Sequence, residues 1–126
     1  NDLIDFSDFL PTFCEIANSS TDQLSLDGGS FLPQLHGETG KPRKSVYSWY
    51  NREMKPGKTQ VTARNQRYKL YRSGEFYDVP NDLQEKQPLD TDSLTPGQVA
   101  IKEELQDVLN HYEQFDRLSQ VIDGRQ

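Results

Sequence analysis

Apolar residues in the first forty positions come in two short bursts of one design. Asp8-Phe9-Leu10-Pro11-Thr12-Phe13 and Ser30-Phe31-Leu32-Pro33-Gln34-Leu35 both run cap, Phe, Leu, Pro, any residue, apolar residue. Asp and Ser are good N-caps, because a side-chain oxygen accepts from a free amide of the first turn. Proline is tolerated there, where amides lack intrahelical partners anyway. The pattern predicts a helix over 8–17, apolar at Phe9, Leu10, Phe13, Ile16 and Ala17, capped by Asp8 and ended by Asn18-Ser19-Ser20. Asp27-Gly28-Gly29 is a turn signal that leads into a second short helix capped by Ser30.

The period changes after residue 44. Ser45-Val46-Tyr47-Ser48-Trp49-Tyr50 is β-branched and aromatic, which predicts a strand. Met54-Lys55-Pro56-Gly57-Lys58 reads as a loop. Residues 59–64 alternate as a second strand, with Thr59, Val61 and Ala63 on one side. Asn65-Gln66 turns the chain into Tyr68-Lys69-Leu70-Tyr71-Arg72, and Ser73-Gly74 turns it again into Glu75-Phe76-Tyr77-Asp78-Val79. Loops this short make neighbouring strands antiparallel. A long helix is predicted over 95–122. Thr95 caps it, Pro96 takes its first position, and Gln98 completes a capping box. Ile101, Leu105, Val108, Tyr112, Phe115 and Ile122 form its apolar stripe. The expected fold is α+β: a small four-stranded antiparallel sheet covered by the long C-terminal helix and preceded by two short N-terminal helices. Tyr47, Trp49, Phe76 and Tyr77 are the sheet's candidates for the core. A coiled coil is the alternative use of the stripe, but the sheet needs a cover.

Composition narrows this picture. The 126 residues suit one modest domain, and an apolar fraction of 33% implies a thin core. No run of about 18 apolar residues predicts a membrane span. The chain opens at Asn1-Asp2-Leu3 without an initiator Met, so a processed or cut piece of something longer is expected. The net charge of −6 is unevenly spread. Between Lys41 and Arg72 there are ten basic residues and one acid, Glu53; the rest holds four basic and nineteen acidic residues. Such a belt favours an anionic partner or an acidic neighbour within the protein. Acidic flanks argue against nucleic acid, although aromatics lie among the basic residues.

No catalytic constellation can be assembled. There is no paired-His metal motif, Cys-rich knuckle, phosphate loop or nucleophile elbow. Cys14, the only cysteine, falls in a helical apolar pattern and reads as a small buried hydrophobe. His36 and His111 read as surface residues. Asp78, Asn81, Asp82 and Glu85 lack the ligand alternation and central glycine of an EF-hand, so a turn after a strand is expected.

In order, these segments resemble the C-terminal part of a sulfatase of the alkaline phosphatase superfamily. The family's "DLLPTLLDLAG" helix corresponds to Asp8 through Asn18, and its "LDGxSLLPLLxG" stretch to Leu26 through Gly37. Its "VRTGRYKLI" hairpin corresponds to Thr62 through Tyr71, and its "ELYDLENDPGETxNL" segment to Glu75 through Leu89. A closing helix completes the order. Asn18 stands for a glycine, Asn65-Gln66 for a Gly-containing turn, and Leu83 for a proline.

The resemblance implies that 1–126 is a single C-terminal subdomain. Residues 1–40 would form a helical seam toward a catalytic domain absent from this chain, 45–79 the sheet and 95–122 the long helix. It implies sulfate-ester hydrolysis by a parent enzyme that carries formylglycine and calcium upstream, with the fragment alone inactive. Cys14, followed by Glu15-Ile16-Ala17-Asn18, does not fit the family's Cys/Ser-x-Pro-x-Arg motif. Phe9, Leu10, Phe13, Phe31, Leu32 and Leu35 would face the missing domain, fold back on the sheet or meet another copy. Arg43, Lys44, Arg52, Arg64 and Arg67 are the candidates for touching an anionic sulfated substrate. A periplasmic, secreted or lysosomal place follows by family analogy. Two other readings stay open: a stand-alone module that binds a sulfated or phosphorylated polymer through the 41–72 belt, and the same subdomain from a phosphonate or phosphodiester hydrolase.

Overall fold

The computed structural model describes residues 2–115. They form two compact units, divided between Val46 and Tyr47.

The first unit holds two short helices, α1 (Phe9–Ile16) and α2 (Leu32–Leu35), and a bridge between Leu3 and Arg43 that ties its ends together. A single 3-10 turn, Phe6–Asp8, runs straight into α1. Asp5, not Asp8, caps that turn: its carboxylate accepts from the Ser7 amide. Asp8 makes no side-chain cap to α1, because its carboxylate is turned to partners far along the chain. Ser30 Oγ accepts from the Leu32 amide at 3.2 Å, one position ahead of the α2 cap. Pro11 takes the third position of α1 as expected, whereas Pro33 takes the second of α2.

The burial of α1 reverses the expectation for an amphipathic helix. Its buried residues are Pro11 and Thr12; Phe9, Leu10, Phe13 and Ile16 are exposed, and Cys14 is half-buried. Thr12 is held inside because its hydroxyl donates to the Asp8 carbonyl at 2.7 Å and accepts from the Phe31 amide at 3.1 Å. Two hydrogen bonds satisfy the buried hydroxyl, which would otherwise oppose burial.

The second unit is the expected two-layer arrangement. Strands β1 (Val46–Tyr50), β2 (Gln60–Arg64), β3 (Tyr68–Tyr71) and β4 (Phe76–Asp78) lie side by side in chain order. The register places Ala63 opposite Leu70 and Leu70 opposite Phe76. These three point to one face with Val61 and Tyr68, and α3 (Pro96–Glu113) covers them with Leu105 and Leu109. Tyr47, Trp49, Ile101 and Val108 pack at the edge of this core, and Tyr47 stacks on Tyr112 at 4.5 Å. Thr95 and Gln98 close the capping box at the start of α3.

Two details differ from the sequence expectation. The centre of the α3 stripe is Leu105 with Leu109, which the expected stripe omits, and Phe115 is exposed. Tyr77 is buried, but on the sheet face away from α3, where it meets the edge of Tyr71 at 5.8 Å. Ile122 and the expected helix beyond residue 115 lie outside the described residues. No described helix is long and apolar enough to cross a membrane.

Candidate functional site

Strand alternation that sends Ala63, Leu70 and Phe76 toward α3 sends Arg64, Lys69 and Tyr77 to the other face, where the register sets them in one row. The loop after β4 brings Glu85 over this row, with Glu85 itself in a left-handed conformation, φ 51°. Lys69 Nζ donates to both Glu85 oxygens, at 2.8 and 3.1 Å, and to Tyr71 Oη at 3.0 Å; the Tyr71 hydroxyl donates to Glu85 Oε2. Burial opposes the Lys69 charge, but the Glu85 and Tyr71 contacts outweigh it and raise its pKa. Burial also opposes the Glu85 charge, and the hydrogen bonds from Lys69 and Tyr71 outweigh it and lower its pKa. Burial and the bond to Glu85 together raise the Tyr71 pKa. An open cleft of about 780 Å³ lies alongside, lined by Thr59, Gln60, Tyr71, Arg72, Tyr77 and Glu85 among others.

The five basic candidates fall into different settings. Arg67 grips Asp78 with two hydrogen bonds, Nε at 3.0 Å and Nη2 at 2.7 Å, and this bond chiefly holds the Asp78 pKa low. Arg64 is half-buried, and its Nε donates to the Asn65 carbonyl at 3.3 Å. Arg52 is exposed on the β1–β2 connection. In the first unit, Lys44 is exposed and Arg43 is turned inward onto Asp8 and Ser7. Local sequence gave no signal for the two acids that engage these cations, Asp78 and Asp8, nor for Lys69 with Glu85.

Asp78, Asn81, Asp82 and Glu85 do not converge. Asp78 takes Arg67 and the Asn81 amide, Asp82 accepts from the Gln87 backbone, and Glu85 takes Lys69. Among the described residues no three His, Cys, Asp or Glu side chains could hold a metal ion. The donor set therefore does not fit calcium.

The first unit presents the other notable surface. Phe6, Phe9, Leu10 and Phe13 border a shallow apolar groove closed by Ser25, Leu26 and Asp27. Phe6 is 89% exposed and Phe13 60%. Phe9 anchors the patch against Phe6, Phe13 and Phe31, with ring centroids 5.4–5.9 Å apart. Of the six apolar residues singled out in the sequence, Phe9, Leu10, Phe13 and Leu35 are exposed, and Phe31 and Leu32 are half-buried.

No family model matches the chain, and no curated protein sequence matches it. Solved structures do. A 2-O GAG sulfatase superposes with a TM-score of 0.61 at 28% identity, over 87% of this chain and 24% of its own. A "putative sulfatase" from Bacteroides thetaiotaomicron superposes with a TM-score of 0.62, also at 28% identity, over the same shares of the two chains. The chain thus spans about a quarter of the sulfatases it matches. Its fold resembles a subdomain of these sulfatases.

Proposed function

We propose that this chain is the C-terminal subdomain of a sulfatase that hydrolyses sulfate esters, and that its part in the enzyme is to pack against the catalytic domain and help wall its substrate pocket. The observation that carries this is the reversed burial of α1, together with the partial coverage of the matching sulfatases. Burying a Phe or Leu side chain stabilises by roughly 1.5–3 kcal/mol. A helix that buries Thr12 and shows Phe9, Leu10, Phe13 and Ile16 is suited to an apolar neighbour. In this reading the neighbour is the catalytic domain, which also carries the formylglycine and the calcium. The basic belt favours a stand-alone polymer-binding module less, because Arg43, Arg67, Lys69 and Lys55 all have acidic partners.

The test begins with the coding sequence upstream of Asn1, where a Cys/Ser-x-Pro-x-Arg motif a few hundred residues earlier is expected. The longer polypeptide should release sulfate from an aryl or glycan sulfate. Amides of residues 6–16 should exchange more slowly in it than in the 126-residue chain. An unrelated upstream domain, or equal exchange in both, would overturn the proposal.

A further inference from the structure

The β1–β2 connection is nine residues long, from Asn51 to Thr59, where a tight hairpin needs about two. It is nevertheless built. Asn51 is 6% exposed at its base, and its side chain holds both limbs. Nδ2 donates to the Lys55 carbonyl and to Thr59 Oγ1, both at 2.9 Å, and Oδ1 accepts from the Lys55 amide at 3.2 Å. Met54 sits at φ 50° and Gly57 at φ 69°. A left-handed methionine is strained, and the surrounding hydrogen bonds offset that cost. The loop shows solvent Arg52, Lys58 and the paired Lys55–Glu53, with Tyr50 and Met54 each 54% exposed beside them. Arg52 and Lys58 have no ion pair among the described residues.

We infer that this loop is a preformed cationic finger that binds a sulfated glycan chain. Arg52 and Lys58 would face sulfate groups, and the exposed Tyr50 ring offers a surface for the CH groups of a sugar. The finger rests on the sulfatase reading for the kind of polymer and narrows the basic belt to two exposed residues on one loop that make no ion pair among the described residues. Asn51 acts as a positioning residue: holding the loop that carries the two cations in one shape lowers the entropy lost on binding. Each cation that displaces counterions from a polyanion steepens the salt dependence of binding, by about one unit of log–log slope on the scale known for DNA.

The experiment uses the 126-residue chain and heparin as the probe, with affinity measured across a salt series and folding checked by circular dichroism. Wild type is expected to bind, with affinity falling steeply in salt. Arg52→Gln/Lys58→Gln should flatten the log–log slope by about two. Asn51→Ala should weaken binding severalfold at an unchanged slope, since every charge remains. Absence of wild-type binding, or an unchanged slope in the double variant, overturns the inference. Equal affinity for duplex DNA overturns the glycan as the ligand. Sulfate release by the longer polypeptide tests the sulfatase reading separately, so the two failures are distinguishable.

Discussion

Arg43 donates from Nε to Asp8 Oδ2 at 2.9 Å, and from Nη2 to the other oxygen of the same carboxylate, across 35 positions of sequence. The Asp8 carboxylate also accepts from the Asp5 amide at 2.8 Å and the Gly29 amide at 2.9 Å. One side chain therefore joins the first turn, the Gly28-Gly29 loop and the end of the first unit. Asp8 is 4% exposed, so its charge is matched largely by these donors. Asp8→Ala leaves the Arg43 charge without this carboxylate and should destabilise the first unit by about 3 kcal/mol. Hydrogen exchange across residues 5–43 measures it. The double variant Asp8→Ala/Arg43→Ala should cost less than the sum of the singles; strict additivity would show that the pair is not a unit.

Gly28 explains how the loop reaches Asp8. A Cβ built there would lie 2.0 Å from the Ser7 carbonyl oxygen and 2.8 Å from the Asp8 amide nitrogen, whereas one on Gly29 meets nothing within 4 Å. The contacted atoms are backbone and cannot swing aside. Gly28→Ala should therefore cost about 2–3 kcal/mol and speed exchange at the Gly29 amide, while Gly29→Ala stays within about 0.5 kcal/mol of wild type. Equal effects at the two positions would remove the close approach as the cause.

What was legible in the sequence follows from distance along the chain. The four strands, the turns and the α3 capping box rest on local alternation and on caps three residues apart, and they appear within a residue or so of expectation. Asn65 replaces a turn glycine because its side chain accepts from the Arg67 and Tyr68 amides, a local device the sequence permits but does not announce. The α3 stripe drifted because Leu109 lies one turn beyond Leu105, and spacings of three and four admit either Val108 or Leu109 at its centre. Asp8 stands at the expected cap position of α1, but nothing nearby in sequence reveals that its carboxylate goes to Arg43 instead of the first turn. The Phe face of α1 was legible as apolar and as a face for a missing domain; what the local pattern does not reveal is the buried Thr12, whose bonds are with the backbone of Phe31 and Asp8.

The Lys69–Tyr71–Glu85 cluster predicts a stability profile with two edges. Asp8, Asp78 and Glu85 have folded pKa values below their ordinary ones. Their contribution is present above the ordinary carboxylate range, near 4, and is lost as pH falls through the depressed values. Lys69 and Tyr71 have raised values, so theirs is present below about 10 and is lost as pH rises through the folded values. Urea unfolding followed by the fluorescence of Trp49 should give a plateau from roughly pH 5 to 9 that declines on both sides. Glu85→Gln removes the negative charge and one of the two acceptor oxygens that Lys69 and Tyr71 share. It should lower the plateau by about 1–3 kcal/mol and flatten the alkaline edge. An unchanged alkaline edge would separate the cluster from that decline.

Asn18 ends α1 in a left-handed conformation at φ 50°, with its amide donating to the Glu15 carbonyl at 3.1 Å and the Ser19 amide to the Cys14 carbonyl at 2.8 Å. Asparagine tolerates this region better than other side chains, and glycine better still. Asn18→Gly should thus be neutral or stabilising by about 0.5 kcal/mol, although glycine also gains freedom in the unfolded chain. Asn18→Val, β-branched at a positive φ, should cost about 1–2 kcal/mol. Because the apolar face of α1 ends here, the loss should appear first as faster exchange at Ala17 through Ser19, whose amides donate back into the last turn. A valine variant as stable as wild type would mean that the helix end has rearranged to a right-handed exit.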